Sequence, residues 1–242
     1  MSFKMNSGLG KQILSLIREG DYAHPGEEEA IELVFRDIPK LKDRMILDVG
    51  CGLCGTAIYL QKLGYGKITG IDLNPETISI VNETYPDFNI IQADVNKVSE
   101  IIKDKFDMIY LFNSFYAFPD HSKAIESLRK VAQANTDLII FDYADAGKYR
   151  AETLEIPNPL KLDTIETILT KNGWRLTELK DISDLYIKWY TEFCHKVESK
   201  KLEIVKLANE EVYDYVLEQY SKILELYQKD ILKAVILRAK AV

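Results

Sequence analysis

Cysteine is scarce: Cys51, Cys54 and Cys194 are the 3 in 242 residues, an odd number with no framework spacing. A disulfide scaffold is excluded, and the chain suits a reducing, cytoplasmic setting. Cys51 and Cys54 form one CxxC, but structural zinc usually needs four ligands and no second pair exists. No metal is expected, and Cys51 reads better as a small buried residue. Basic clusters are missing too. The net charge is -7, and no run of Lys and Arg exceeds a short helix face. Nucleic acid and anionic membrane are therefore not expected as main partners. The acidic balance tolerates a cationic small substrate instead. No apolar run reaches the roughly 20 residues of a membrane span, and the first residues lack the apolar core of a secretory leader. Repeats and low-complexity tracts are absent. The composition that remains is 47% hydrophobic, enough for one large domain or a domain with a cap. The oligomeric state stays open.

The organising stretch runs from Met45 to Leu60. Met45 to Leu47 is an apolar run of the kind a buried parallel strand needs, and Asp48 sits at its end. Gly50, Gly52 and Gly55 then make a tight turn, and a helical pattern follows Thr56 with Ile58, Tyr59, Leu60 and Leu63 available for one face. Strand, glycine turn and helix start together form a cofactor cradle: glycine admits a close ligand, and the helix start offers free N–H groups. The three glycines also fit the dinucleotide pattern G-x-G-x-x-G, which does not call for an acid two residues before its first glycine.

Before this stretch, residues 1–6 read as a tail. Leu9, Ile13, Leu14, Leu16 and Ile17 mark a helix from Gly8 to Glu19, with Gly20 as its C-cap. A turn-rich link from Gly20 to Gly26 carries Tyr22 and His24. A second helix begins near Glu27 and buries Ile31, Val34 and Phe35. Glu27, Glu28 and Glu29 read as first-turn charges favoured by the helix dipole. After the cradle, Lys67–Asp72 is a strand ending in an acid, about 20 residues past the glycines, where nucleotide-binding folds hold ribose hydroxyls. Asn74 and Pro75 start the next helix. Asp87 to Asp94 is a third strand and Phe106 to Leu111 a fourth. The loop from Phe112 to Pro119 carries four aromatics. A helix from Pro119 to about Ala132 precedes a fifth strand, Leu138 to Tyr143. Residues 144–159 form a long connection of the lid type. Leu160 to Asn172 reads as a helix, and Trp174 to Asp181 as a sixth strand. A long helical region then runs to about Lys229, with Leu202, Val205, Val212, Val216, Ile223 and Leu226 as its apolar face. Ile231 to Ala239 is a last strand.

Asp48, Gly50 and Gly52 resemble the D-x-G-x-G signature of class I S-adenosylmethionine (SAM) methyltransferases. Cys54 occupies the place of that family's frequent third glycine. The resemblance covers about Arg44 to Tyr143. It implies a Rossmann-like α/β fold: a seven-stranded methyltransferase sheet, last strand antiparallel, under an N- and C-terminal helical cap. The division that follows is a cap segment at 1–40, a SAM-binding core at 41–182, a helical cap insertion at 183–230 and a final core strand at 231–242. The resemblance implies SAM as cofactor, S-adenosylhomocysteine as product and a small-molecule acceptor. It places Asp48, Gly50, Gly52, Asp72, Leu73, Asp94, Val95 and Leu111 at the cofactor, with Asp72 on the ribose and Asp94 on the adenine amino group. Either acid also fits a plain helix cap.

The flanks are similar to small-molecule amine methyltransferases of the phosphoethanolamine and glycine–sarcosine type. The similarity rests on the Tyr22 link, on Phe141, Asp142 and Tyr143, and on Asp181 to Asp184 before the long helices. Phosphoethanolamine methyltransferases carry a His in the loop after the fourth strand, and Ala117 stands there, with His121 nearby. Candidate catalytic residues are Tyr22, as gate or hydrogen-bond donor, and Asn113, to orient the acceptor. Candidate substrate contacts are His24, Phe112, Phe115, Tyr116 and Tyr143, the aromatics forming a box for a cationic amine; core packing is the plainer role for any of them. Trp189, Tyr190 and His195 are weaker candidates. The alternatives are an NAD(P)-dependent oxidoreductase on a similar fold and a non-catalytic SAM-binding module.

Overall fold

The computed structural model describes residues 3–150 and 154–242. Two helices come first. α1 (Gly8–Arg18) is capped by Ser7 and buries Ile13, Leu14 and Ile17. The chain leaves it on Glu19, at φ 56, rather than on the expected Gly20. Gly20 is small for another reason: a Cβ there would lie 2.7 Å from the Tyr22 ring. α2 (Glu27–Phe35) buries Ala30, Ile31, Val34 and Phe35.

The sheet is built from β1 (Met45–Val49), β2 (Lys67–Asp72), β3 (Asn89–Gln92), β4 (Phe106–Phe112), β5 (Ala132–Asp145), β7 (Trp174–Asp181) and β8 (Leu232–Ala241), in the order β3-β2-β1-β4-β5-β8-β7. β6 (Leu160–Lys161) pairs with β5 off this path. β8 is antiparallel to both β5 and β7, and the remaining pairs are parallel. The expected topology is present with one short strand added. α3 (Gly55–Lys62), α4 (Pro75–Thr84), α5 (Val98–Ile101), α6 (His121–Val131) and α7 (Ile165–Lys171) flank it. α8 (Ser183–Ser199), α9 (Lys201–Leu207) and α10 (Glu210–Gln228) follow β7.

Successive strand residues point to opposite faces, and this sorts the interior into two cores. Ile46, Met108, Tyr110, Phe112, Ile139 and Phe141 join one core with α1, α2, α8 and α10. Leu47, Val49, Ile109, Leu111, Leu138 and Ile140 join the other with α6 and α7. Strand order reverses between β1 and β4, and in open α/β sheets the ligand crevice lies at the carboxyl ends beside such a switch.

Several expected boundaries move. The Leu160 to Asn172 helix splits, because Leu160 pairs with Ala144 and is wholly buried before α7 begins at Ile165. The region to Lys229 is three helices; α10 restarts on Asn209, whose side chain accepts from Val212 N–H at 2.9 Å. Leu202 is 84% exposed and Ile204 is the buried residue of α9, so the apolar stripe does not include Leu202. β5 is longer than Leu138 to Tyr143, and β3 stops at Gln92, short of Asp94. The supposed lid at 144–159 includes residues 151–153, and the supposed tail residues 1 and 2, which lie outside the described residues.

Phe35 joins the N-terminal helices to the sheet: its ring meets Tyr65, Tyr110 and Phe112 at centroid distances of 5.2, 5.6 and 6.2 Å. Phe35→Ala should destabilise the whole domain by about 3–5 kcal/mol, read by urea unfolding. A loss below 1 kcal/mol would mean that the N-terminal helices are peripheral to the core.

Candidate active site

The glycine loop leaves β1 as a pinned turn. Gly50 N–H and Cys51 N–H both donate to Ile71 C=O, at 2.8 and 3.0 Å. Gly50 and Gly52 take φ 73 and 54, conformations that glycine adopts without strain. A Cβ on Gly50 would stand 2.5 Å from Ser114 Cβ at the end of β4. Cys54, also left-handed at φ 66, opens α3, so a non-glycine residue carries the turn at that position. Cys51 and Cys54 are free and buried. The N-terminal link lies directly on the loop: Gly55 N–H donates to Asp21 C=O at 3.2 Å.

Three acids surround this turn. Asp48 is 2% exposed and accepts from Tyr110 O–H at 2.8 Å. Burial pushes its carboxyl up to about 7, the Tyr110 hydrogen bond pulls it down, and the charge of Asp72 adds to the rise. Asp72 accepts from Gly52 N–H at 3.0 Å and Asn74 N–H at 2.9 Å, while Asn74 is the residue that caps α4. Lys11 Nζ stands 3.7 Å from Asp72 Oδ2. Leu73, beside it, is 66% exposed. Asp94 accepts from Asn96 N–H at 2.9 Å and caps a short 3-10 turn begun by Val95, which is buried. The Leu111 side chain faces the other core.

The predicted acceptor residues separate. Asn113 follows β4 at φ 47, and its Oδ1 accepts from Tyr186 O–H at 2.7 Å. Tyr116 and Tyr143 meet edge to face at 5.0 Å. Phe112 stacks on Phe141 at 4.9 Å, deeper in the core. Phe115 does not join them: it lies in the opposite core, stacked on His121 at 3.9 Å. His121 is held there by Phe115 C=O at 3.0 Å and does not replace the missing His at Ala117. His24 is 1% exposed, with Nδ1 donating to Pro25 C=O at 3.2 Å and Nε2 accepting from Thr56 O–H at 2.9 Å. Burial lowers its pKa to about 3; it is a neutral packing residue rather than a base. Tyr22 donates to Glu28 at 3.1 Å, and its hydroxyl pKa is raised, chiefly by burial. His195 is exposed on α8. Trp189 is buried and donates to Glu29 at 2.9 Å.

Sequence reasoning missed most of the roof. Tyr186 and Tyr190 on α8, with Tyr220 and Tyr227 on α10, are buried over Tyr143. Two of these hydroxyls bond within the wall: Tyr190 pairs with the Tyr143 hydroxyl, and Tyr186 donates to Asn113 Oδ1. The signal was a tyrosine period of four on α8 and seven on α10. The Glu27 to Glu29 run is also more than dipole charge: each acid takes a partner, Arg18, Tyr22 and Lys188 respectively.

A 3-2-1-4-5 sheet closed by an antiparallel strand, with an acid and two left-handed glycines after its first strand, is the arrangement expected of a class I SAM-dependent methyltransferase, and the comparisons with known proteins support that class. Residues 47–140 match a family model described as a methyltransferase domain. The chain is 28% identical to phosphoethanolamine N-methyltransferase of Plasmodium falciparum over 217 residues, 84% of this chain and 81% of that one. It superposes at TM-score 0.88 on phosphoethanolamine N-methyltransferase 2 of Haemonchus contortus, solved with phosphomonomethylethanolamine and S-adenosylhomocysteine. That match is 16% identical and covers 98% of this chain but 58% of that chain. A putative sarcosine dimethylglycine methyltransferase of Galdieria sulphuraria aligns at TM-score 0.84 and 12% identity, covering 98% of both chains.

The raised carboxyl of Asp48 sets a pH dependence. Its folded value, about 7, stands above the ordinary 3.8. The folded state therefore favours the protonated acid, and that advantage is lost as pH rises from about 4 to 7. Between pH 5 and 8 the wild type should lose roughly 2–3 kcal/mol of stability relative to Asp48→Asn. Urea unfolding of both proteins at the two pH values measures it; equal slopes would refute it.

Proposed function

We propose that this enzyme methylates a small-molecule amine. The observation that supports this reading best is the state of the imidazoles. The chain has 3 histidines, and none offers a free basic nitrogen at the crevice. His24 is neutral with both nitrogens engaged, His121 lies in the opposite core, and His195 is on an exposed helix face. A hydroxyl acceptor needs a base, whereas a free amine brings its own lone pair. The N-methyltransferase names of the Plasmodium and Haemonchus proteins agree with an amine.

The residues fit the cofactor. Gly50 and Gly52 keep the loop open to close approach, and a Cβ on Gly52 would meet only Ala23 Cβ, at 3.9 Å. Asp72 is proposed to hold the ribose hydroxyls and Asp94 the adenine amino group. Leu73, Val95 and the Leu111 backbone would line the ring, and Asp48 would support the loop from below. SAM supplies an activated methyl on a sulfonium, and its transfer leaves S-adenosylhomocysteine and an ammonium whose proton passes to water. The chain's part is to exclude water and orient the lone pair. Asn113 orients the acceptor, Tyr116 and Tyr143 offer ring faces to the positive charge that develops on its nitrogen as the methyl is transferred, and Tyr22 gates the link above the loop.

We further read 1–40 and 183–230 as a cap over the 41–182 core, completed by the strand at 231–242. No described helix is long and apolar enough to cross a membrane. The three free thiols agree with a cytoplasmic setting, and the charge of -7 with a partner other than nucleic acid.

Two measurements test the proposal. S-adenosylhomocysteine at 100 times its Kd should add about 2.7 kcal/mol to folding stability, with no effect of NAD or NADP; the reverse pattern would sink it. Tyr116→Ala should raise the KM for an amine acceptor several-fold without changing S-adenosylhomocysteine affinity, while Phe115→Ala should lower only stability. An acceptor-specific effect of Phe115→Ala would reverse the assignment of the two rings.

A further inference from the structure

Glu155 stands against the tyrosine wall. It belongs to the stretch 154–159, which is fastened to the loop after β4: Asn158 N–H donates to Tyr116 C=O at 3.1 Å, and Asn158 Nδ2 to Phe118 C=O at 2.8 Å. Two donors from distant parts of the chain aim the carboxylate. Met5 N–H and Tyr215 O–H both donate to Oε1, at 2.9 and 2.7 Å. Oε2 takes no hydrogen bond from the described residues, and none of the described Lys or Arg residues forms an ion pair with Glu155. The residue is half-buried. A carboxylate drawn partly out of water without a cation gives up hydration that nothing in the chain returns.

Glu155 also closes a ring of tyrosines. Tyr116 meets Tyr143 edge to face at 5.0 Å, the Tyr143 hydroxyl pairs with that of Tyr190, and Tyr190 packs on Tyr220 at 5.8 Å. Both ends of this row feel the Glu155 charge. Burial raises the Tyr116 hydroxyl pKa, and Asp142 and Glu155 add to the rise. At Tyr220, burial and Glu155 raise it against the pull of Arg18. The buried cation at this wall, Arg18, is already committed: it donates to Glu27 at 2.6 Å and is hydrogen-bonded to the Tyr220 hydroxyl. The second acid beside Tyr116, Asp142, accepts from the N–H groups of Phe115, Tyr116 and Tyr143. Aromatic faces and a carboxylate without a cation favour the same guest, one that carries positive charge.

We infer that Glu155 binds a second, non-reacting ammonium of the methyl acceptor, so that the substrate is a small aliphatic diamine rather than an amine with an anionic tail. The inference rests on the amine reading above and adds a specificity residue to it. One nitrogen reacts as the free base: its lone pair takes the methyl of SAM, the carbon–sulfur bond breaks toward sulfur, and the new ammonium releases its proton to water. The other nitrogen stays protonated and pairs with Oε2, beside the Tyr116 ring. An anionic tail at this place would meet Glu155 with like charge.

The test uses SAM with three four-carbon amines that differ only at the far end: 1,4-diaminobutane, 4-aminobutan-1-ol and 4-aminobutanoate. The wild type should methylate the diamine at least about tenfold more efficiently than the aminoalcohol, and the anionic compound least. Glu155→Gln should raise the KM for the diamine by about 10- to 100-fold, the size of one charge-assisted contact, with the KM for the aminoalcohol and S-adenosylhomocysteine affinity little changed. Glu155→Lys should reverse the order and favour 4-aminobutanoate. Each comparison is a ratio within one protein, so partial misfolding of a variant does not imitate it. The aminoalcohol used as well as the diamine, or a diamine preference intact in Glu155→Gln, overturns the anchor while the amine reading stands. A methyl found on the oxygen of the aminoalcohol, located by fragmentation mass spectrometry, overturns the amine reading instead. If none of the three is methylated, titration of the S-adenosylhomocysteine-loaded protein with the same compounds decides. Preferred binding of the diamine that is lost in Glu155→Gln supports the anchor, and binding absent or equal across the three refutes it.

Discussion

The hydrogen bond from Gly52 N–H to the Asp72 carboxylate is the constraint on which the site depends. It ties the loop after β1 to the end of β2. The same carboxylate accepts from Asn74, whose side chain starts α4, and faces Lys11 of α1. One acid thus sets the loop, the entry to a helix and the seat of the N-terminal cap. The other flank of the loop is fixed by Ser114, which donates to Val49 C=O at 2.6 Å and leaves no room for a side chain on Gly50. Three strand ends are held together before any ligand arrives, so little order has to be created on binding.

Alternation along β4 and β5 then divides labour. Tyr110 and Phe112 point toward the cap, and Ile109 and Leu111 toward the helices on the other face. A shift of one residue in either strand would exchange these sets. Asp142, at the end of β5, is wholly buried and accepts from Phe115 N–H and Tyr143 N–H, each at 2.7 Å. It fastens the loop after β4 to β5, so the backbone that carries Asn113 and Tyr116 is held by a side chain of the neighbouring strand.

Legibility in the sequence followed the range of the interactions. β2 and the Asn74 cap were readable because a continuous apolar run and a capping residue act over a few positions. Asp72 was readable because the βαβ unit fixes how far an acid lies from the glycines. The Phe112 to Pro119 loop was not, since without periodicity nothing local says that Phe115 turns away while Tyr116 does not. Leu202 misled because α9 is short and breaks at Ala208, which resets the stripe. Arg18 gave no signal at all: it ends an apolar stripe like any surface residue, and only the folding of α8 and α10 over it removes its water.

β8 lies later in the chain than every strand it joins, yet it occupies an interior place between β5 and β7. During synthesis β7 therefore emerges with no strand to pair with, and the three helices after it leave the ribosome before the sheet can accept it. Until β8 inserts, β5 presents an open edge of aliphatic residues to the cell. The nascent protein must carry that adhesive edge for as long as the 86 residues between Asp145 and Leu232 take to translate, which is the interval in which a holding chaperone has most to protect.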